Sequence, residues 1–433
     1  DELRDQILKK GTLVFQSWLF DSTLKNKIEE ETKAYLDSYL PFGFSGKVIE
    51  RQTENDVVDV ILNQHSDIDI VFITGSAGVG KSGVNRGVLK KLLDKGIPVL
   101  AFRIDQFLSC NNKEELGFQI TGRQESPVTT LKTLSPNDES VLFIDQVDSV
   151  SDISGRGGNV KRVLFRLLED AKSFGTVKVV MSCRTFDLNN DARLKGIYDQ
   201  DSVSNIEVPQ LDWDTEIQPL LEEKGVEIQQ LTDKQKQLLS LPINLTIFLN
   251  VYQPGFSFSS TTVLYDEFIT KKQRHISSTL KPNWALIQVL GELSQWMSEK
   301  QQLSAPAHVL DQYPNALEIF SSEGLITSSK YNVNFFHESF FDYIYARSFV
   351  INNTSICEML CSGEQHLFRR TQVRQILEAL REIDSLRYLK ELSQLLTNDE
   401  IRYHIKSAVA QWLRALKNPT PEEFKLLTEL NTE

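Results

Sequence analysis

Gly75-Ser76-Ala77-Gly78-Val79-Gly80-Lys81-Ser82 is the stretch that decides the fold of this chain. It fits the phosphate-binding pattern G-x-x-x-x-G-K-[ST] at every fixed position. In that pattern the glycines let backbone N–H groups approach phosphates, the lysine reaches the outer phosphates and the hydroxyl holds a magnesium ion. The sequence therefore predicts a nucleotide-binding loop at this position.

The sequence on either side of the loop favours the same interpretation. The apolar run Ile70-Val71-Phe72-Ile73 precedes it, as a buried strand does, and Gly96 suits the end of the helix that follows. That helix carries apolar residues at four-residue spacing: Val84, Val88 and Leu92. A plain glycine-rich turn is the alternative, and it leaves the lysine and the hydroxyl unexplained. The residues expected to contact the nucleotide here are Gly75, Ser76, Ala77, Gly78, Val79, Gly80, Lys81, Ser82 and Gly83.

Composition and charge limit the possible functions. The chain of 433 residues is long enough for several domains. Its hydrophobic share of 40% and charged share of 24% are typical of a globular protein. A net charge of −12 without a long Lys/Arg run argues against general nucleic-acid binding. No stretch approaches the roughly 18 apolar residues of a membrane span, so no membrane association is expected.

Cysteine usage predicts the compartment. The four cysteines suit a reducing environment, and the N-terminus has no signal-peptide layout, so a cytoplasmic location is expected. Cys357 and Cys361 are four positions apart, but no second pair follows at zinc spacing. They are therefore expected to be ordinary helix residues. Neither end of the sequence has a recognisable terminal feature, and a longer parent protein stays open as an interpretation.

Residues 46–210 alternate between strands and helices. Most of the strands are largely continuous apolar runs, as expected of strands covered on both faces. The alternation predicts a parallel, doubly wound α/β sheet, the fold of a P-loop NTPase domain. Residues 1–45 are predicted to be an N-terminal helical segment or linker, whose helix Ser22 or Thr23 would cap. The strand candidates are Ile68–Thr74, Pro98–Ile104, Val141–Asp145, Thr176–Ser182 and Asn205–Val208.

Beyond Pro209 the pattern becomes helical. Residues 211–280 are predicted to form a helical lid domain. Residues 281–350 combine helices with a short hairpin, which is the outline of a winged-helix domain. Residues 351–433 contain amphipathic helices at short intervals, like the start of an α-helical repeat array. Their apolar positions include Leu380, Ile383, Leu386, Leu389 and Leu392.

An acidic segment is predicted to complete the nucleotide site. The run Val141–Ile144 is a buried strand that ends in Asp145, and ligands bind at the carboxyl ends of such strands. Asp145 is therefore expected to hold magnesium together with Ser82. Gln146 follows where many motor ATPases carry a glutamate base, so Asp148 is the candidate for polarising the attacking water. The alternative for Asp148 is a turn or cap aspartate.

A third segment, Ser182-Cys183-Arg184, ends a further strand at the same edge of the sheet. Arg184 is expected to point at the γ-phosphate, where a cation stabilises the charge that develops during transfer. Its alternative is a surface salt bridge to Asp187 or Asp191. The sequence therefore assigns catalytic roles to Asp145, Asp148 and Arg184.

The order of these parts resembles the nucleotide-binding core of the signal-transduction ATPases with numerous domains, the STAND class, and especially its NACHT-like branch. The resemblance covers about residues 46–350. The segments that carry it, besides the phosphate loop, are Asp145-Gln146-Val147-Asp148, Ser182-Cys183-Arg184, Leu239–Leu245, Leu264–Ile269 and Phe335–Tyr343.

The resemblance implies roles for three further residues. Ser240-Leu241-Pro242 is similar to the family's Gly-x-Pro helix start, which implies that Pro242 packs on the adenine. His337 matches the winged-helix histidine that contacts the β-phosphate of ADP; a packed core histidine is the alternative. Val48-Ile49-Glu50-Arg51 weakly resembles the upstream segment that lines the adenine, which implies a contact from Arg51. Gln146 replaces the small residue usual after the magnesium acid, which implies slow hydrolysis.

The function implied by the resemblance is an ATP-dependent molecular switch with ATP or ADP and Mg²⁺ as ligands. ADP is held at rest between the sheet domain and the winged helix. A trigger protein on the helical repeats then allows ATP to replace it, and protomers assemble to activate an effector. Prokaryotic members include anti-phage defence ATPases such as the AVAST type, which implies antiviral defence and a trigger derived from phage.

Two other functions stay open at this point. An initiator-like ATPase of the AAA+ class also pairs an ATPase domain with a winged helix, and it would bind DNA. The stretch Phe340-Phe341-Asp342-Tyr343 is aromatic and acidic, which is unsuited to a phosphate backbone if it forms the recognition surface. A non-hydrolysing, nucleotide-dependent scaffold is the other alternative, motivated by Gln146.

Overall fold

The chain forms two compact units. The computed structural model describes residues 22–38, 49–63, 68–76, 78–107, 109–151, 159–300, 302–328, 332–352, 354–363, 365, 369–416 and 418–430. Contacts group Asp1–Glu223 with Ser240–Ile243 in a first unit, and Lys224–Leu239 with Asn244–Glu433 in a second. Ala77 of the phosphate loop and residues 1–21 and 39–45 of the predicted N-terminal segment lie outside the described residues.

A parallel sheet is the centre of the first unit. Its strands lie in the order β2-β3-β4-β1-β5, and every neighbouring pair is parallel. β1 and β3 are buried along their whole length, which explains their continuous apolar sequence. All predicted strands are present, with ends shifted by at most two residues. The strands are β1 Ile70–Gly75, β2 Val99–Arg103, β3 Ser140–Asp145, β4 Val177–Arg184 and β5 Val203–Glu207.

Helices cover both faces of this sheet. Alternate residues of β1 belong to two different cores, Ile70 and Phe72 to one, Val71 and Ile73 to the other. The fold is therefore the predicted doubly wound P-loop NTPase fold. The helices of this unit are α1 Ser22–Ser38, α2 Gln52–Leu62, α3 Lys81–Asp94, α4 Lys113–Thr121, α5 Pro127–Leu134, α6 Val160–Phe174, α7 Thr185–Asn190, α8 Ala192–Tyr198 and α9 Gln218–Glu223.

Helix α1 packs on the edge strand β2. The Thr32 hydroxyl donates to the Val99 carbonyl at 2.8 Å and accepts from the Ala101 N–H at 3.2 Å. Lys27 donates to the Thr121 carbonyl at the end of α4, at 3.0 Å. These bonds satisfy backbone groups that an uncovered edge would leave open. The helix is thus part of the first unit and packs directly on its sheet.

The second unit is mostly helical with one small sheet. The predicted hairpin is present, and a two-residue strand, too short for a sequence pattern, extends it to an antiparallel sheet in the order β6-β8-β7. The strands are β6 Ala305–Pro306, β7 Ile326–Ser328 and β8 Asn332–Phe335. The helices are α10 Asp233–Leu239, α11 Pro242–Val251, α12 Thr261–Thr279, α13 Leu286–Lys300, α14 Ala316–Ser322, α15 Glu338–Ile351, α16 Ile356–Cys361, α17 Arg369–Ile383, α18 Ser385–Thr397, α19 Tyr403–Ala415 and α20 Pro421–Leu430.

Two apolar positions of the C-terminal helices are exposed, contrary to their predicted place in the buried stripe. Ile383 ends α17 and is 56% exposed, and Leu386 in the first turn of α18 is 81% exposed. Asp384 lies between them and accepts the Arg387 N–H, which caps α18. The stripe is broken because the chain turns at Asp384.

Among the helices of the described ranges, none combines the length and apolar character that a membrane crossing requires.

The last helix is held by a buried carboxylate. Glu423 of α20 is 1% exposed and accepts from Arg381 Nε at 2.5 Å, from the Tyr388 hydroxyl at 2.7 Å and from the Thr420 N–H at 2.7 Å. Burial raises the pKa of Glu423, but the hydrogen bonds from Arg381, Thr420 and Tyr388 outweigh it and bring the pKa below its ordinary value. The ionised form therefore stabilises the packing of α17, α18 and α20.

We predict that this packing is weakened by acid. Because the folded pKa of Glu423 is depressed, its contribution is complete above the unfolded pKa of about 4.3 and is lost as pH falls through the folded pKa. Glu423→Gln should lower the free energy of unfolding by roughly 1.5 to 3 kcal/mol at neutral pH. Urea unfolding followed from neutral pH to strong acid should show this cost shrinking as the pH drops. Glu422→Gln, at the exposed neighbour, is the control. A cost for Glu423→Gln that stays constant over that range would contradict the assignment.

Candidate nucleotide-binding site

The phosphate loop joins β1 to α3. Gly78 and Gly80 have φ values of +82° and +93°, a left-handed backbone that glycine adopts without strain. A Cβ on Gly80 would also meet Cγ of Pro242 at 3.0 Å. Both conformation and space therefore require glycine at position 80. The loop ends at the N-terminus of α3, where backbone N–H groups favour a bound anion.

Lys81 folds back over this loop. Its ammonium group donates to the carbonyls of Gly75 at 2.8 Å and Ser76 at 3.0 Å. Burial lowers the pKa of Lys81; the charges of Asp148 and Asp145 oppose that shift, and the charge of Arg184 adds to it. Lys81 is thus within electrostatic reach of Asp148, Arg184 and Asp145.

The strand order explains this meeting. Gly75 at the end of β1 lies opposite Arg184 at the end of β4, and β4 separates β1 from β3. In the sheet register Ile144, the residue before Asp145, is level with Met181 of β4 and Phe72 of β1. Neighbouring strands are about 4.8 Å apart, so this end of β3 lies roughly 10 Å from β1 across the sheet. The carboxylate of Asp145 is buried, with the residue 2% exposed. Its Oδ1 accepts the Gln146 N–H at 2.7 Å and its Oδ2 accepts the Tyr35 hydroxyl at 2.9 Å.

Asp148 and Arg184 form an ion pair, with Arg184 Nε 3.4 Å from Asp148 Oδ2. Sequence reasoning treated them separately, one beside the attacking water and the other beside the γ-phosphate. Both side chains are partly buried, with 26% of Arg184 and 12% of Asp148 exposed. A phosphate that approached Arg184 would compete with Asp148 for the guanidinium.

Gln146 has a left-handed backbone with φ of +60°. It precedes the short 3₁₀ turn Val147–Val150, which carries Asp148. Residues other than glycine and asparagine rarely adopt this conformation. The conformation costs roughly 1 to 2 kcal/mol for a residue with a Cβ, and it sets the direction in which the turn that carries Asp148 leaves β3.

Arg51 lies beneath the phosphate loop and is 7% exposed. Its guanidinium pairs with Glu216 at 2.7 Å and donates to the carbonyls of Pro209 at 2.9 Å, Gln210 at 3.3 Å and Val79 at 3.5 Å. Sequence reasoning missed this role, since Glu216 had no motif to mark it. The adenine contact of Arg51 stays a prediction.

Pro242, which follows the phosphate loop in the chain as Arg51 precedes it, also contacts this loop. Segment Ser240–Ile243 belongs to the first unit, and the Ser240 carbonyl accepts the Leu211 N–H at 2.9 Å. The side chains of Leu241 and Ile243 would lie within 4.0 Å of a Cβ on Gly78. Pro242 is thus beside the phosphate loop, and its adenine contact stays a prediction.

His337 belongs to the second unit, where it caps α15. Its Nδ1 accepts the Ser339 N–H at 3.1 Å. The contact with a phosphate predicted for His337 stays a prediction. The neighbouring stretch Phe340–Tyr343 is buried, with exposures from 0% to 8%. The expectation that this stretch is a recognition surface is therefore wrong, and its aromatic, acidic character is no argument against DNA binding.

Comparison with known families finds a match within the first unit. Residues 71–200 match the family described as ATPase family associated with various cellular activities (AAA). The matched range contains Asp145, Asp148, Arg184 and the phosphate loop from its preceding strand onward. The chain therefore carries a P-loop ATPase domain of the AAA type, a domain that binds and in general hydrolyses ATP. No curated protein matches the sequence.

Solved structures share parts of the backbone. A Walker-type ATPase of Pyrococcus abyssi is 12% identical, with 70% of this chain and 98% of that chain covered and a TM-score of 0.39. A STAND protein with a tetratricopeptide repeat sensor from Pyrococcus horikoshii is 14% identical, with 89% and 58% covered and a TM-score of 0.39. AMPPCP-bound DnaA from Aquifex aeolicus is 14% identical, with 81% and 93% covered and a TM-score of 0.36. Likenesses of this degree say nothing about function.

Two glycines of this region provide a matched test. We expect Gly80→Ala to destabilise the protein by at least about 1 to 2 kcal/mol from the left-handed backbone alone, and to weaken nucleotide binding because the loop must shift away from Pro242. Gly83→Ala should leave the free energy of unfolding unchanged or raise it by up to about 1 kcal/mol, since a Cβ there meets nothing within 4 Å. Urea unfolding and titration with labelled ADP measure both effects. Equal behaviour of the two variants would contradict the fit between loop and proline.

Proposed function

We propose that the protein is an ATP-dependent molecular switch of the STAND type, in which the bound nucleotide controls the helical part of the chain. The observation that carries the proposal is Pro242, which opens α11 against Gly80 of the phosphate loop. Pro242 and Ile243 belong to the first unit, and the rest of α11 belongs to the second. A rearrangement of the loop would therefore reach the second unit through one continuous helix.

The residues of the site fit a magnesium ion. Ser82 offers a hydroxyl in the first turn of α3, and Asp145 offers a carboxylate at the end of β3. Hard oxygen ligands of this kind suit magnesium, which takes the rest of its shell from water and phosphates. When bound, the ion would neutralise charge on the phosphates. Lys81 would exchange its bonds to the loop carbonyls for bonds to phosphate oxygens.

We propose that hydrolysis is slow. Asp148 would orient the attacking water and accept its proton, and Arg184 would stabilise the charge that develops on the γ-phosphate. In the structure these two side chains form an ion pair, so a γ-phosphate at Arg184 would change the position of Asp148. Gln146 supplies no carboxylate where motor ATPases have a base. A nucleotide that is held long and hydrolysed slowly suits a switch better than a motor.

His337 would close the switch around ADP. Since Nδ1 accepts the Ser339 N–H, the neutral imidazole carries its proton on Nε2. Nε2 is then a hydrogen-bond donor, which suits a phosphate oxygen. We propose that a trigger protein on the C-terminal helices weakens this closed form. A shift from mostly closed to mostly open needs about 5.5 kcal/mol of differential binding, which exchange of ADP for ATP and assembly of protomers would supply jointly.

The antiviral role and the phage-derived trigger are proposed on the family resemblance of the motifs. An initiator-like, DNA-binding ATPase is the alternative. The burial of Phe340–Tyr343 removes the objection that was based on this stretch, while the net charge of −12 still argues against general DNA binding. DNA binding that is in the micromolar range or tighter and weakens steeply with salt would support the alternative.

The nucleotide itself is the first test. We expect purified protein to carry or take up ADP, and Lys81→Ala to bind it roughly 10- to 100-fold more weakly, because a charge-assisted hydrogen bond is worth about 1.5 to 3 kcal/mol. Chromatography of the extracted nucleotide and titration with labelled ADP measure this. Lys95→Ala, at the exposed end of α3, is the control.

Wild-type protein that stays free of nucleotide after ADP is added would overturn the proposal. The scaffold alternative is tested on the same preparation. Slow turnover that Asp148→Asn abolishes excludes it, and binding without turnover favours it.

The closing role of His337 has its own test. Asparagine is a good N-cap, so His337→Asn keeps α15 capped while it removes the imidazole. We expect the dissociation rate of ADP to rise at least about tenfold in this variant. Stopped-flow chase of labelled ADP measures it, and His337→Ala reports the added effect of losing the cap. An unchanged dissociation rate in both variants would remove His337 from the nucleotide site.

A further inference from the structure

Tyr35 of helix α1 bonds directly to the acid assigned to magnesium. Its hydroxyl lies 2.9 Å from Oδ2 of Asp145, although 110 positions separate the two residues. Tyr35 is 5% exposed, and its ring lies 6.1 Å from that of Phe143, two residues before Asp145 on β3. The hydroxyl is therefore fixed by the packing of its own ring.

The direction of this bond limits its meaning. An ionised carboxylate only accepts hydrogen bonds, so Tyr35 donates. With the Gln146 N–H on Oδ1 and the Tyr35 hydroxyl on Oδ2, both oxygens of Asp145 have a donor. Two donors on opposite oxygens hold the plane of the carboxylate. Carboxylates that serve a metal commonly have such partners, and losing one typically lowers metal affinity by about 10- to 100-fold.

The helix that carries Tyr35 is itself anchored to the sheet. Thr32, one turn earlier in α1, is bonded to both Val99 and Ala101 of β2. Because β2 pairs with β3 in register, Ala101 opposite Phe143, these bonds fix α1 relative to the strand that ends in Asp145. The position of the hydroxyl thus follows from backbone contacts as well as from its ring.

We propose that Tyr35 is a positioning residue for the magnesium site, holding Asp145 in the orientation that receives the ion. Helix α1 then contributes to the nucleotide site, because it carries the hydroxyl that orients Asp145. This inference rests on the proposed binding of a magnesium nucleotide at that site. A merely structural tyrosine would contribute to stability and leave the magnesium dependence unchanged.

Tyr35→Phe tests the hydroxyl alone, since the ring is kept. Binding of a fluorescent ATP analogue is titrated with magnesium, and its affinity is also measured in EDTA. We expect the magnesium concentration at half-maximal effect to rise about tenfold, with the affinity in EDTA unchanged. Tyr198→Phe is the control, because Tyr198 packs on Phe72 in the same unit. In an Asp145→Asn background, Tyr35→Phe should have no further effect on the magnesium dependence.

The outcomes separate this inference from the proposed function. A magnesium midpoint in Tyr35→Phe that equals that of wild type overturns the inference. Wild-type affinity for the ATP analogue that does not depend on magnesium also overturns the inference. In that case the proposal that the protein binds a nucleotide is still supported. Absence of nucleotide binding by wild-type protein overturns both. Thermal unfolding of each variant shows whether a changed midpoint accompanies a folded protein.

Discussion

The buried guanidinium of Arg51 joins the segments that surround the phosphate loop. Removing such a charge from water costs on the order of several kcal/mol, and the contact with Glu216 and three carbonyl acceptors offset that cost. Because the acceptors belong to the phosphate loop and to the chain after β5, Arg51 sets the path of both. That path leads to Leu211, whose N–H holds the segment that carries Pro242. The packing of Pro242 against Gly80 therefore depends on the guanidinium of Arg51.

Charge balance at the sheet edge follows from the strand order. Lys81 and Arg184 face Asp145 and Asp148 in a group without net charge, and each cation already has a bond within the protein. Phosphates would therefore compete with the present partners of these cations. This competition would make the local structure depend on how many phosphates are present. A site whose cations had no protein partners would bind phosphates without such a rearrangement.

The sequence predicted the strands of the large sheet better than it predicted the contacts between residues that are far apart in the chain. Apolar runs and the glycine-lysine pattern identified every strand of the large sheet, since these are local properties of the chain. The bond of Tyr35 to Asp145 could not be predicted, because the local pattern around Tyr35 does not show what its side chain meets 110 positions away. The prediction for Leu386 was wrong for a different reason. The apolar spacing continues through the turn at Asp384, although the helix does not. The left-handed backbone of Gln146 likewise depends on the turn that follows it.

A switch also needs a residue that distinguishes ATP from ADP. A ligand shifts an equilibrium only through its different affinity for the two states. The glycines would serve phosphates common to both nucleotides, and Lys81 would reach the β-phosphate of either nucleotide as well as the γ-phosphate of ATP. Arg184 differs, because its ion pair with Asp148 would compete with a γ-phosphate and would persist with ADP. In the proposed switch, Arg184 at the end of β4, opposite Gly75 and paired with Asp148 of the turn after β3, is therefore the residue of the described site best suited to report the third phosphate.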